Sequence, residues 1–595
     1  MSSASRFDMR TAFWLATLGA IVKAIVDLIE LYLVPPAELS FDPDSNLRLQ
    51  QVRDWMAGQS WFDVRLAHFG LEGFTPMHWT RVADLGPAAL IAIFTPFVGQ
   101  ANAETIAVVA FPMLLRIPLL LACIWAVQRL VPTISTKMVG LAVLIVGVHL
   151  YLLNIHFRPG LIDHHNLQVI ALVVFIGGAL GVRTFRSGLI SAAGMVIGLV
   201  VGFDAIPHVA AAILAIGLLW LIDPQRERAF LKGLGLGTIA LTTVLGPVFI
   251  PQPWTTAWCD SWTVPIAAIM LGFGVAAVLL AGPLSQLQGL WKRFIAAAFL
   301  GGGILASLLW SFPACRNPLP LQGPLIQKYW MNSIAENANA LQLMTETSSA
   351  VIVWLLPLVA AVYYLYAIKL KRLDLAAGLP LLVTLAVGLV FGLMYFRGLP
   401  MLTALTLLIL GPLGAQLLVR LNVPDRRAFL YTGISLLLVL VPAIIGVVKP
   451  AKSPPSNGTY VFSNKETAEA NCLKGATLAR VQALPAGLMI AGFGQSEYLL
   501  RKTHHTTAFA GYHRAKDGNL WTIRWLIAKP DEAKAMLKQH QPKYLAVCPL
   551  SQQFYLMARS NPDSLIGQAF IGKPPVWLKP VTSLSANGQI YEIIP

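Results

Sequence analysis

The sequence predicts a polytopic α-helical membrane protein of about thirteen transmembrane helices that ends in an extracytoplasmic α/β domain. Three observations carry that prediction. Of 595 residues, 56% are hydrophobic and only 12% charged, about half the charged share of a soluble chain. Apolar runs long enough for a bilayer recur along the first three quarters of the chain, and the composition changes abruptly after Pro450. A net charge of +16 would suit nucleic acid in a soluble protein; here the excess is the charge that membrane proteins keep in their cytoplasmic loops.

The runs fall at 12–34, 104–130, 137–153, 163–182, 188–203, 206–222, 230–250, 263–281, 293–311, 350–368, 375–394, 399–420 and 428–447. The first follows Arg6 and Arg10, is too long for a signal-peptide core, and reads as an uncleaved span. A piece at 86–99, broken by Pro87 and Pro96, is left uncounted as interfacial or re-entrant. With the N-terminus inside, the basic clusters at Lys137, 183–186, 223–232, 291–293, 369–372 and 420–427 are all cytoplasmic. Two long loops, 35–85 and 312–349, then lie outside, where function is expected. The expected location is a cell membrane, the inner membrane of a bacterium, with the terminal domain periplasmic.

Residues 1–449 are read as the membrane domain, 450–460 as a polar Pro-rich linker and 461–595 as a globular domain large enough to bury its own core. GLMIAGF and KYLAVCP read as buried strands and PDEAKAMLKQH as a helix between strands. Cys123 lies in a span; Cys259 and Cys315 lie on external loops, and Cys472 and Cys548 in the terminal domain. Two disulfides and one free thiol fit this distribution, as do five reduced cysteines.

The chemistry-bearing residues collect on the outer side. FDPDSNLR at 41–48 sets Asp42 and Asp44 one residue apart beside Pro43, which keeps the local backbone out of a helix. GLIDHHNLQ brings Asp163, His164 and His165 to the membrane surface, where carboxylate and imidazole are expensive unless paired or bound to a cation. Glu336 is the only acid between Arg316 and Thr345, and Arg397 stands at the mouth of a span. An oxygen-rich set of this kind suits Mg²⁺ or Mn²⁺, with imidazole favouring Mn²⁺; an arginine beside it suits a phosphate. Other features have plainer readings. His504, His505 and His513 read as a polar loop, with a metal or phosphate site as the alternative, GFGQSEYLL as a turn before a helix, and Trp61, Phe62, His78, Trp79 and Arg81 as interfacial anchors, Arg81 having substrate contact as its alternative. Asp204 and His208 are divided between site lining and a surface turn, and Asp27 and Glu30 read as solvated from the surface.

FDPDSNLR resembles the FDPWFNYR-type segment in the first external loop of oligosaccharyltransferase catalytic subunits. GLIDHHNLQ is similar to that family's second acidic motif, and SIAE at 333–336 to its SVSE or TIxE motif. The layout of spans and terminal domain also resembles the family's GT-C architecture. The resemblance implies a membrane glycosyltransferase that moves a sugar or oligosaccharide from a polyprenyl (di)phosphate donor to an extracytoplasmic protein, lipid or glycan. It implies Asp42 and Glu336 as catalytic residues, Asp42, Asp163, His165 and Glu336 as metal ligands, and Arg397 as the holder of the donor phosphate. Asp44, Arg81 and His164 are the expected substrate-lining residues. Two departures stand out: His165 replaces an acid of the second motif, and the terminal domain lacks WWDYG, so Asn-linked transfer is not expected. The alternative is a permease with an external regulatory domain; no internal repeat or pair of interrupted spans supports it.

Overall fold

The computed structural model describes residues 6–33, 42–317, 323–342, 351–448, 472–473 and 475–594. α1 (Met9–Leu33) and α2 (Pro43–Met56) lead to a hairpin, β1 (Arg65–Ala67) and β2 (Phe74–Pro76). Next come α3 (Leu85–Val98), α4 (Gln100–Leu114), α5 (Arg116–Leu130), α6 (Thr136–His149), α7 (His165–Ala179), α8 (Phe185–Val201), α9 (Ile206–Ile222), α10 (Pro224–Phe249), α11 (Val264–Ala281) and α12 (Leu290–Ser311). A short α13 (Pro324–Tyr329) precedes α14 (Val351–Lys369), α15 (Leu375–Met394), α16 (Leu399–Arg420) and α17 (Asp425–Val448). Eight described helical segments are long and apolar enough to cross a membrane, and five further apolar helices are shorter.

Small residues let these helices approach closely, which in lipid replaces the hydrophobic drive of a soluble core. A Cβ at Gly188 of α8 would stand 2.2 Å from Phe230 O of α10, and one at Gly235 of α10 would stand 2.6 Å from Gly274 O of α11. Neither helix pair can keep its spacing with a larger residue.

The structure corrects three local expectations. Pro43 does not keep FDPDSNLR out of a helix: it occupies the first turn of α2, where its missing N–H costs nothing, and Asp42 caps the helix through a 2.6 Å bond from Ser45 N. The run at 104–130 breaks at Leu115 into α4 and α5. α4 belongs with α2 and α3, since Leu49, Val52, Ala88, Ile91, Ala103 and Ala107 share one apolar cluster and Arg53 of α2 pairs with Glu104 at 2.6 Å. Asp27 is not solvated. It is 2% exposed, ion-paired to Lys23 and, at 2.5 Å, to Arg116.

The terminal domain contains α18 (Ala476–Gln482), β3 (Leu488–Ile490), α19 (Gln495–Lys502), β4 (Thr506–Thr507), α20 (Lys516–Ile527), α21 (Pro530–Met536), β5 (Tyr544–Val547), α22 (Gln552–Ser560), α23 (Leu565–Phe570), β6 (Leu578–Ser583) and β7 (Gln589–Ile593). Its sheet runs β4-β3-β5-β7-β6: β3 is parallel to β4 and β5, while β7 is antiparallel to β5 and β6. The two predicted strands are β3 and β5, and the predicted helix is α21. Disulfides join Cys259 to Cys315 and Cys472 to Cys548, and Cys123 is free and buried. The expected linker at 450–460 lies outside the described residues.

The domain is clamped to the first loop. Thr507 N donates to His68 O and Gly70 N to Thr507 O, so the β1–β2 hairpin bridges to β4. Leu47, Leu66, Phe69, Met77 and Trp79 of the loop pack with Leu500, Ala510 and Tyr512 of the domain. Beneath this contact Glu497 is fully buried, its Oε1 accepting Gly511 N at 2.6 Å. Burial pushes its carboxyl up to about 7, against backbone hydrogen bonds that act the other way. A raised folded value means that the fold holds a proton the unfolded chain has released. Stability is therefore full below the unfolded value near 4.3 and falls as pH rises to about 7, by about 2–3 kcal/mol. Hydrogen exchange of residues 488–527 in the whole protein should show this loss between pH 4.5 and 7.5, and Glu497→Gln should remove it.

Candidate active site

The site is assembled where the start of α2, the turn before α7, the α8–α9 turn, the loop after α13 and the α15–α16 turn converge. Asp163 and His164 occupy the turn and His165 opens α7. His164 Nδ1 donates to Asp163 Oδ1 at 2.5 Å, and His165 Nε2 lies 3.2 Å from Asp163 Oδ2. Asp204, between α8 and α9, stands 3.5 Å from both His164 Nε2 and His165 Nδ1. Its other oxygen faces Arg397 Nη1 at 3.6 Å, and Arg397 Nη2 donates to Glu336 Oε2 at 3.1 Å. One continuous polar network thus links Asp163, His164, His165, Asp204, Arg397 and Glu336.

Asp42 and Asp44 complete it from the start of α2. Burial and the charge of Asp163 push Asp42 up to about 6, Ser45 acting the other way and Glu336 adding to the rise. Asp44 is carried well above the usual carboxylate range by burial and then by Asp163, Asp42 and Glu336. Carboxylates crowded closely enough to raise one another are unfavourable unless protonated or neutralised by a cation. Ser45 fixes the spacing of the two motifs, because its N–H binds Asp42 while its Oγ accepts Ile162 N at 3.1 Å.

The metal-binding reading passes a test on geometry. One ligand atom each from Asp163, His164 and His165 lie within 4.8 Å of one another, and Asp163 Oδ2 is buried without a hydrogen-bond donor among the described residues. That is a hard oxygen with two imidazoles at coordinating reach.

Other residues singled out in the sequence have partners of their own outside this network. Arg81 is 2% exposed and faces the interior of the first loop. Its guanidinium bonds Asp84 (3.2 Å), Gln51 O (3.0 Å), Gln59 Oε1 (2.7 Å) and Asp63 O (2.6 Å). His208 packs edge to face on Phe391, inside the helix bundle. Of the terminal-domain histidines singled out, His504 and His505 bond local carbonyls at Leu484 and Val481. His513 instead pairs with Asp260 at 2.8 Å beside Arg514, clamping the domain to the loop before α11.

Sequence reasoning passed over Arg48, the last residue of the first motif. It is 0% exposed, bonds Asp84 at 3.0 Å, lies 3.7 Å from Asp163 Oδ1 and stacks 4.5 Å over Trp79. An arginine closing the same short segment as Asp42 and Asp44 was the available signal. Trp79 in turn packs on His164 and Tyr512, and Tyr512 Oη accepts His78 N at 2.6 Å, so the terminal domain braces the site.

Gly202 ends α8 against His164, where a Cβ would stand 2.8 Å from the imidazole Cδ2. Gly202→Ala should displace that ring and weaken Mn²⁺ binding at Asp163, His164 and His165 about tenfold to a hundredfold with the fold retained, as read by calorimetry and by thermal unfolding.

No family model matches the chain, and no curated protein matches it by sequence. Solved structures do. The apo oligosaccharyltransferase of Archaeoglobus fulgidus aligns with a TM-score of 0.62 at 11% identity, over 94% of this chain and 73% of that one. AglB from the same organism, in complex with an inhibitory peptide and a dolichol-phosphate, aligns with a TM-score of 0.61 at 11% identity, over 97% and 74%. The A. fulgidus enzyme in complex with Zn and sulfate aligns with a TM-score of 0.56 at 13% identity, over 90% and 69%. The chain shares the fold of these solved structures.

Proposed function

We propose that this protein is a membrane glycosyltransferase. It moves a sugar or oligosaccharide from a polyprenyl (di)phosphate donor to an extracytoplasmic acceptor by a metal-assisted inverting displacement. The observation that carries this reading is the single network of Asp42, Asp44, Asp163, His165, Asp204, Glu336 and Arg397. It joins acids, imidazole and a partly exposed arginine drawn from separate loops. Its likeness in fold to enzymes solved with dolichol-phosphate, and with zinc and sulfate, supports both the donor class and the cation. Thirteen crossings, an inner-membrane location and a periplasmic terminal domain complete the proposal, with the membrane domain at 1–449 and the terminal domain at 461–595. The basic loops support that orientation.

Each residue then has a task. Asp163 and His165, with Asp42 and Glu336, would hold the cation, Mg²⁺ or Mn²⁺, and His164 stands at coordinating reach beside Asp163 and His165; the imidazoles favour Mn²⁺. When bound, it neutralises charge on the phosphate and on the crowded carboxylates. Asp42 and Glu336 orient the acceptor heteroatom and take its proton. Arg397 turns from Glu336 and Asp204 to the donor phosphate and holds it in a two-point grip. The acceptor atom bonds to the anomeric carbon from the face opposite the phosphate, whose oxygen departs with the bonding pair, so configuration inverts. Asp44 and His164 border this space. Arg81 supports the loop instead of touching substrate.

The test compares wild type with Asp42→Ala and Glu336→Ala at equal expression, profiling extracytoplasmic glycans and polyprenyl-linked sugars by mass spectrometry. Both variants should accumulate a lipid-linked sugar and lose one conjugate, which names the acceptor. Wild-type profiles in both would return these acids to the status of loop residues.

A further inference from the structure

The Asp27 ion pair lies away from the acid network and lines a second site. α1, α5, α6 and α17, with Leu153 and Asn154, enclose a cavity of about 40 Å³. Its walls are apolar, with Val22, Val26, Leu119, Leu120, Leu144 and Leu436 among them, except for Lys23, Arg116 and Asn154. Arg116 is 2% exposed. One guanidinium nitrogen meets Asp27 at 2.5 Å, while Nε and Nη1 have no hydrogen-bond partner among the described residues.

A buried guanidinium with free N–H groups facing a cavity is costly unless something accepts from it. Among the described residues the cavity wall carries a surplus: Lys23 and Arg116 share the one carboxylate of Asp27, leaving one positive charge over. The cavity exceeds the roughly 10–15 Å³ that one water needs. Its rim at Val22, Leu120 and Val148 is apolar and half-buried. The polar end lies toward the C-terminal end of α1, from which the chain runs on to Asp42.

We propose that this cavity binds the phosphate of an anionic phospholipid from the leaflet on the terminal-domain side. Arg116 Nε and Nη1 donate to a phosphate oxygen, and Lys23 shares its charge between Asp27 and the phosphate. The acyl chains leave over the Val22–Leu120–Val148 rim. A singly charged phosphodiester balances the surplus, a zwitterionic headgroup does not, and free phosphate lacks the chains the rim accommodates.

The experiment is native mass spectrometry of the whole protein released from micelles containing dioleoylphosphatidylglycerol, dioleoylphosphatidylcholine or inorganic phosphate. Wild type should keep one phosphatidylglycerol through activation, and about tenfold less phosphatidylcholine. Arg116→Gln alone strands Asp27, so the Arg116→Gln/Asp27→Asn pair and Lys23→Gln are used, with thermal unfolding as the check on folding. Each should lower phosphatidylglycerol retention about tenfold without loss of the folded transition. Equal retention in folded variants, equal retention of the two lipids, or displacement by millimolar inorganic phosphate would each overturn the proposal. If the double variant does not fold, Lys23→Gln decides.

Discussion

Asp163→Asn should lower the proposed sugar transfer by about a thousandfold while the protein stays folded and inserted. Asp163 is the one residue of the network that touches both imidazoles and Arg48. The amide keeps the size and one acceptor but removes the charge that would bind a cation and that balances His165 and Arg48. A direct readout besides turnover is Mn²⁺ binding by calorimetry in detergent, which should weaken beyond measurement. Retained binding with normal turnover would place the cation elsewhere.

The second large effect falls on stability. Arg48→Met should destabilise the first loop by about 3–5 kcal/mol, because it strands Asp84 against a single remaining cation, Arg81, and frees Asp163. Arg48 is fully buried, so neither water nor salt can substitute. Limited proteolysis between residues 57 and 80 should quicken, and turnover should fall with it. Arg48→Met combined with Asp84→Asn should recover part of the stability but not the turnover, since Asp163 still lacks its neighbour. Recovery of both would reduce Arg48 to a packing role.

The helical class, the terminal sheet and the three external motifs were legible because each depends on short-range pattern: apolar run length, strand-sized apolar pieces, acids in loops. Asp42, Asp163 and Glu336 stood out because charge in the loops of an apolar chain is conspicuous, and the structure joins Asp163 and Glu336 in one polar network through His165, Asp204 and Arg397. What was not legible depends on partners far apart in sequence. Arg81 looked available until Asp84, Gln59 and two carbonyls were seen around it. Asp27 looked like a surface acid until α5 brought Arg116 to it. The break at Leu115 leaves no mark in hydropathy, because both halves are apolar; its local signal is Pro118, which has no N–H to donate to Leu114 O and sits in the first turn of α5. Pro43 misled in the opposite sense: proline argues against a helix interior but suits a first turn, and only the Asp42 cap distinguishes the two.

The union of the first loop with the terminal sheet has a consequence for biosynthesis. His78 and Tyr512 meet across 434 residues, and the β1–β2 hairpin finds its bridging strand only at Thr507. At about 5–20 residues per second, the first motif waits on the order of a minute between leaving the ribosome and acquiring the brace that positions Trp79 and His164. A nascent chain therefore carries its acids in an unfinished loop throughout membrane insertion. The brace is complete only when Thr507 and Tyr512, in the last quarter of the polypeptide, fold back onto the first.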